Sequence, residues 1–140
     1  MTNAREAVCH GLLLDALGDP LDLNAVDWHV KRQNPSAKPS EVQSETLEVI
    51  RSLVSDGLFR LGGEVVLGEH LGGVATEGER FVAWDQPLDR LLRKISDVYA
   101  KHYDDPEKWM YSAFLELTDD GEQLARSLER KDIDSYRRIE

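Results

Sequence analysis

Apolar residues recur every three to four positions in several stretches of the chain, a spacing typical of helices that bury one face. The strongest pattern covers residues 86–103, whose apolar face comprises Leu88, Leu91, Leu92, Ile95, Val98 and Tyr99. Weaker patterns predict helices over 3–18, 24–32 and 41–56, with Ala25, Trp28 and Val30 of the second helix facing inward. Thr118 is predicted to cap a last helix, because acidic residues follow it and favour the positive end of a helix dipole.

Short extended stretches separate these helices. Predicted strands cover residues 58–61, 64–67 and 81–84, and a stretch rich in aromatic residues at 109–117. Seven of the ten glycines lie between positions 57 and 78, which predicts a short antiparallel hairpin with a flexible tip at 68–73.

The expected fold class is α+β and mainly helical. Three N-terminal helices precede the hairpin, and a long helix and a C-terminal strand-helix unit follow it. The length suits one domain, which we place at residues 1–131, with a frayed polar tail at 132–140.

Two segments resemble the winged helix-turn-helix superfamily. Residues 40–59 resemble its third helix and first wing strand, with an apolar pair near the helix end followed by the turn Asp56-Gly57. Residues 114–125, with Leu117-Thr118 and the later Gly121, resemble the strand-to-helix junction of MarR-like and PadR-like bacterial regulators. The resemblance implies a winged-helix-like core. In those families the junction follows the wing closely, whereas here the helix at 86–103 intervenes.

Charge bears on what such a core would bind. The formal net charge is −10, and an acidic chain lacks the cations that neutralise phosphates in nucleic-acid binders. A winged-helix reader inserts the N-terminal half of its third helix into the major groove, where this chain carries carboxylates and no lysine or arginine. We therefore expect an adaptor or neutralising module that contacts a protein partner with a basic surface. The expected contact residues are Glu41, Gln43, Glu45, Glu48, Glu69 and His70.

A DNA-binding transcriptional regulator is the alternative interpretation. It would use the polar face of the helix at 86–103, which carries Arg90, Arg93, Lys94 and Lys101. Such a regulator would dimerise through its terminal helices. The apolar face of the same helix suits a homodimer interface as well as a core, so a homodimer stays open.

The chemical motifs of enzymes are missing from the sequence. The four histidines are scattered, Cys9 is the one cysteine, and neither a phosphate-binding glycine motif nor a nucleophile elbow occurs. We expect no enzymatic activity, no cofactor and no metal, and we interpret Cys9 as a small core residue. The N-terminus lacks a signal-peptide pattern and no apolar run is long enough to span a membrane, so a cytoplasmic location without membrane contact is expected.

Overall fold

The structure is a computed structural model that describes residues 2–66 and 79–139, with side chains described for 4–63 and 81–132. Within these residues the chain is α+β and mostly helical, with a small antiparallel sheet, as the sequence predicts. The helices are α1 Thr2–Asp15, α2 Leu23–Gln33, α3 Pro39–Ser55, α4 Leu88–Lys101 and α5 Asp119–Ile139, and a 3-10 turn covers Pro106–Lys108. The strands are β1 Leu21–Asp22, β2 Phe59–Val66, β3 Glu79–Ala83 and β4 Phe114–Leu117.

The four described strands pair in the order β1-β4-β2-β3, and every pair is antiparallel. Leu115 of β4 lies opposite Leu21 of β1 on one side and Leu61 of β2 on the other. The predicted hairpin forms from β2 and β3, and its tip at 68–73 lies outside the described residues. The predicted strand at 109–117 is wrong in its first half, where Trp109 instead follows the 3-10 turn and is buried.

Local polar contacts set where the helices begin and end. The Asp22 carboxylate caps α2 by accepting a hydrogen bond from the Ala25 backbone N–H at 2.8 Å. At the start of α3 the Glu41 carboxylate accepts from the Lys38 backbone N–H at 2.8 Å, so the helix begins before the predicted position 41. Gly57, at φ 76°, ends α3 in the left-handed conformation that glycine adopts at little steric cost.

The core combines buried residues of the sheet and of α1 to α4 with Ala125 of α5. Its largest fully buried side chains are Trp109, Tyr99, Phe59, Leu12, Leu23, Ile50 and Leu115. The α4 stripe packs inward as predicted through Leu91, Leu92, Ile95 and Tyr99. The inward orientation predicted for Trp28 is wrong, because its side chain is 49% exposed while Val26 and Val30 of the same helix are buried.

Helix α5 begins against the end of α3. As predicted, Thr118 caps α5: its hydroxyl accepts from the Gly121 backbone N–H at 3.0 Å and donates to the Gly57 carbonyl at 2.6 Å. The helix then packs along α1. It extends to Ile139 and so includes most of the segment 132–140 that the sequence predicts to be a polar tail.

Candidate partner-binding surface

The first half of α3 presents an acidic face. Glu41, Ser44 and Glu48 are exposed and recur every three to four residues, so they share one side of the helix. Gln43 is half-buried. Residues 39–50 contain no lysine or arginine, and the first cation after them on α3 is Arg51, whose Nε lies 3.9 Å from Glu48 Oε1.

Glu45 lies next to this face but its charge is already paired. Both of its carboxylate oxygens accept hydrogen bonds from Arg5 of α1, at 2.8 and 2.7 Å. This bidentate geometry is the strong form of an arginine–carboxylate pair, and the hydrogen bond to Glu45 raises the pKa of Arg5. Of the four α3 residues predicted to contact a partner, the exposed and charged ones are therefore Glu41 and Glu48.

Helix α4 covers one flank of α3. Arg51 of α3 donates to the Asp89 carboxylate of α4, and this hydrogen bond holds the pKa of Asp89 below its ordinary value. Beside the ion pair lies a groove of about 440 Å³ between the two helices. Its lining residues are Ser44, Leu47, Glu48, Arg51, Asp89, Leu92 and Arg93. A partner that contacts Glu48 would therefore also meet the first turns of α4.

The cations proposed for nucleic acid lie on the exposed side of α4. Arg90, Arg93, Lys94 and Lys101 are all exposed, and the Lys94 ammonium donates to the Gln86 amide oxygen at 3.3 Å. Among the described residues none of the four is ion-paired with a carboxylate. Asp97 is exposed within the same stripe, so the stripe is mixed in sign. The two hairpin-tip residues predicted to contact a partner, Glu69 and His70, lie outside the described residues.

A buried polar cluster joins α2, α3 and α4, and the sequence analysis missed it. The Asp27 side chain is 1% exposed, and its Oδ2 accepts from the hydroxyls of Tyr99 at 2.5 Å and Tyr103 at 3.0 Å. The Lys31 ammonium lies 2.8 Å from Oδ1 and forms an ion pair that is not aligned as a hydrogen bond. The Tyr99 hydroxyl oxygen also lies 3.2 Å from Thr46 Oγ1 of α3, and because its one proton goes to Asp27, the Thr46 hydroxyl is the donor in this contact.

One signal in the sequence marks this cluster. Leu23, Val26, Asp27 and Val30 follow the spacing of a single helix face, so Asp27 belongs to the apolar side of α2. A buried carboxylate needs partners, which the two tyrosines and Lys31 supply. Burial, together with the hydrogen bond to Asp27, raises the pKa of Tyr99, so this hydroxyl stays a donor at neutral pH. The arrangement fastens three helices together.

The histidines and Cys9 make separate local contacts. His29 Nε2 lies 2.7 Å from an Asp15 oxygen, and His10 Nε2 lies 3.3 Å from an Asp132 oxygen. Each histidine thus contacts a different aspartate. In the part of the chain that the structure describes, no three His, Cys, Asp or Glu side chains gather as metal ligands would. Cys9 is half-buried against the core, and burial raises the pKa of its thiol, the opposite of what a nucleophilic cysteine requires.

Two further findings bear on partners. Within the described residues none of the helices combines the length and the apolar character that crossing a bilayer requires. Comparisons of the chain with known protein families, with curated proteins and with solved structures found no match.

Proposed function

We propose that this chain is a non-enzymatic protein-interaction module with a winged-helix-like arrangement, which docks a basic protein surface on the exposed acidic face of α3. The element order supports the arrangement: three helices, with the short strand β1 between the first two, precede the β2–β3 hairpin. The single observation that carries the proposal is that Glu41 and Glu48 are exposed on α3, where the one nearby cation of the helix, Arg51, is shared between Glu48 and Asp89 of α4.

The alternative use of α3, insertion into the major groove of DNA, meets two physical obstacles. Carboxylates at Glu41 and Glu48 would be repelled by the phosphates and would lose hydration inside the groove. The major groove is about 12 Å wide and admits one helix. Helix α4 is fastened to the flank of α3 through Arg51 and Asp89, so its first turn would have to approach the duplex as well.

A pair of matched variants tests the docking surface. Glu41→Gln with Glu48→Gln removes two charges from α3, and glutamine at position 41 still accepts the Lys38 N–H. Glu107→Gln with Glu129→Gln removes two exposed charges elsewhere. Both double variants change the net charge from −10 to −8, so they differ only in where the charge is removed.

The probe is a labelled lysine- and arginine-rich peptide, titrated by fluorescence anisotropy at several salt concentrations. We expect the α3 variant to bind more weakly and more slowly than the control variant, because complementary charge acts mainly on the association rate. Equal weakening by both variants would show that overall acidity attracts the peptide and would refute a docking surface on α3.

The second candidate function, a DNA-binding regulator, is supported by one observation: four exposed cations on α4 lack a carboxylate partner among the described residues. It predicts a shift of labelled duplex DNA at low salt that disappears in Arg90→Glu with Lys94→Glu. A wild-type protein that fails to bind the duplex at about 50 mM salt, where phosphate attraction is strong, would exclude this candidate.

A further inference from the structure

A groove of about 630 Å³ runs between α1 and α2 on a side of the molecule that the proposed function does not use. Ala7 and Gly11 line it from α1, and Trp28, His29 and Arg32 line it from α2. The helices touch closely at Gly11, where a Cβ atom would lie 2.7 Å from the His29 ring. The α1 wall therefore has small residues at Ala7 and Gly11, flanked by Glu6 and His10, while the α2 wall carries the large aromatic side chain of Trp28.

Trp28 is exposed for 49% of its surface although it is among the largest apolar side chains in the chain. Its ring stacks beneath the Arg32 guanidinium at 5.1 Å and meets the His29 ring edge-on at 4.9 Å. These contacts hold the ring in place before any partner arrives, which lowers the ordering cost of binding. Tryptophan and arginine are the residues most enriched at the energetic centres of protein interfaces.

The charges on the two walls complement each other. Glu6 is exposed on the α1 wall and Arg32 on the α2 wall, and among the described residues neither has an ion-pair partner. In a two-fold dimer each contact occurs twice, with residue i of one copy against residue j of the other. A two-fold axis along the groove places the α1 wall of one copy against the α2 wall of the other. Glu6 then meets Arg32 at two symmetric positions, and each Trp28 faces Ala7 and Gly11.

We propose that a second copy of this chain occupies the α1–α2 groove, so that the protein forms a symmetric homodimer held by two Trp28 anchors and two Glu6–Arg32 ion pairs. A stable interface buries at least about 1,000 Å² in total. A tryptophan buries about 150–250 Å² when fully covered, and Trp28, at 49% exposure, has about half of that area left to bury. The area of two tryptophans alone is too small for a stable interface. The proposed contact therefore also includes the exposed Gln33 and the charged residues Glu6 and Arg32. None of the residues that line the groove belongs to α3, so dimerisation and partner docking are tested with different variants.

Sedimentation equilibrium of the full chain tests the proposal, since a dimer doubles the mass of 15.9 kDa. Trp28→Ala is expected to weaken dimerisation at least about tenfold, as removal of an interface anchor does. Glu6→Arg alone and Arg32→Glu alone each set like charges against each other twice, and each is expected to weaken it by about tenfold or more.

The combined variant Glu6→Arg with Arg32→Glu restores opposite charges and leaves the net charge at −10. Its dimerisation constant is expected to return to within about threefold of the wild type. Tyr111→Ala removes a more exposed aromatic ring outside the groove and should change nothing. Circular dichroism checks that each variant is folded. A monomeric wild type, or a combined variant as weak as its single components, would overturn the proposal.

Discussion

The buried cluster around Asp27 can be tested by removing a single oxygen atom. Tyr99→Phe keeps the ring, which packs edge-on against Trp109 at a centroid distance of 4.7 Å, and deletes the hydroxyl that donates to Asp27. A hydrogen bond to a charged group contributes about 1.5–3 kcal/mol to stability. We therefore expect the free energy of unfolding to fall by about 2 kcal/mol.

Urea denaturation followed by far-ultraviolet circular dichroism measures this loss, and a thermal scan should show a melting temperature lower by about 6–10 °C. Tyr103→Phe removes the other hydroxyl bonded to Asp27, but Tyr103 is only half-buried and water can replace the lost donor. Its cost should be smaller, about 1 kcal/mol. Tyr111→Phe, on a ring that is 63% exposed, should cost less than about 0.5 kcal/mol. Equal stability of Tyr99→Phe and wild type would refute the claim that Asp27 depends on this donor.

Three further outcomes are expected. Gly121→Ala should destabilise by about 1–3 kcal/mol in urea, because its Cβ would lie 2.0 Å from the Leu58 carbonyl oxygen, whereas Gly18→Ala, in open space, should be neutral. Burial raises the pKa of Tyr99 and Tyr103, so the stability they provide is complete below about pH 10 and should decline above it in urea titrations at increasing pH. Because burial raises the pKa of Cys9, a thiol reagent should label it more slowly in the native protein than in urea, and equal rates would contradict this.

Local periodicity predicted the helices well because each helix buries a face that its own sequence marks. The α4 stripe from Leu88 to Tyr99 is the clearest case, and the observed helix differs from the predicted range by two residues at each end. The same logic failed at residues 109–117. Aromatic residues are common both in strands and in buried turns. The aromatic character of Trp109 therefore did not distinguish a strand from the position after a 3-10 turn that the structure shows.

The candidate surfaces could be predicted only in part from the sequence. Whether a side chain on them is exposed or already paired depends on residues far away in the chain. The sequence marks Glu45 as an acidic residue of α3, but Arg5, which pairs with it, is 40 positions away. Similarly, Trp28 follows a helical spacing that predicts burial, yet its side chain is 49% exposed, and at Gly11 it is the neighbouring His29 ring that packs against α1. The pairing of Glu45 and the exposure of Trp28 both depend on contacts between helices, which the sequence of one helix alone does not reveal.

The position of β4 in the sheet has a consequence for how the chain is made. Strand β4 lies between β1 and β2 and pairs with both of them. These two strands therefore cannot join one sheet until residues 114–117 leave the ribosome. Until then Leu21 and Leu61 each face an unfilled edge, and such edges invite pairing with other chains. Contacts of this sequence separation also slow folding. Synthesis halted before Phe114 should therefore yield a nascent chain that aggregates or recruits chaperones, even though the first three helices are already complete.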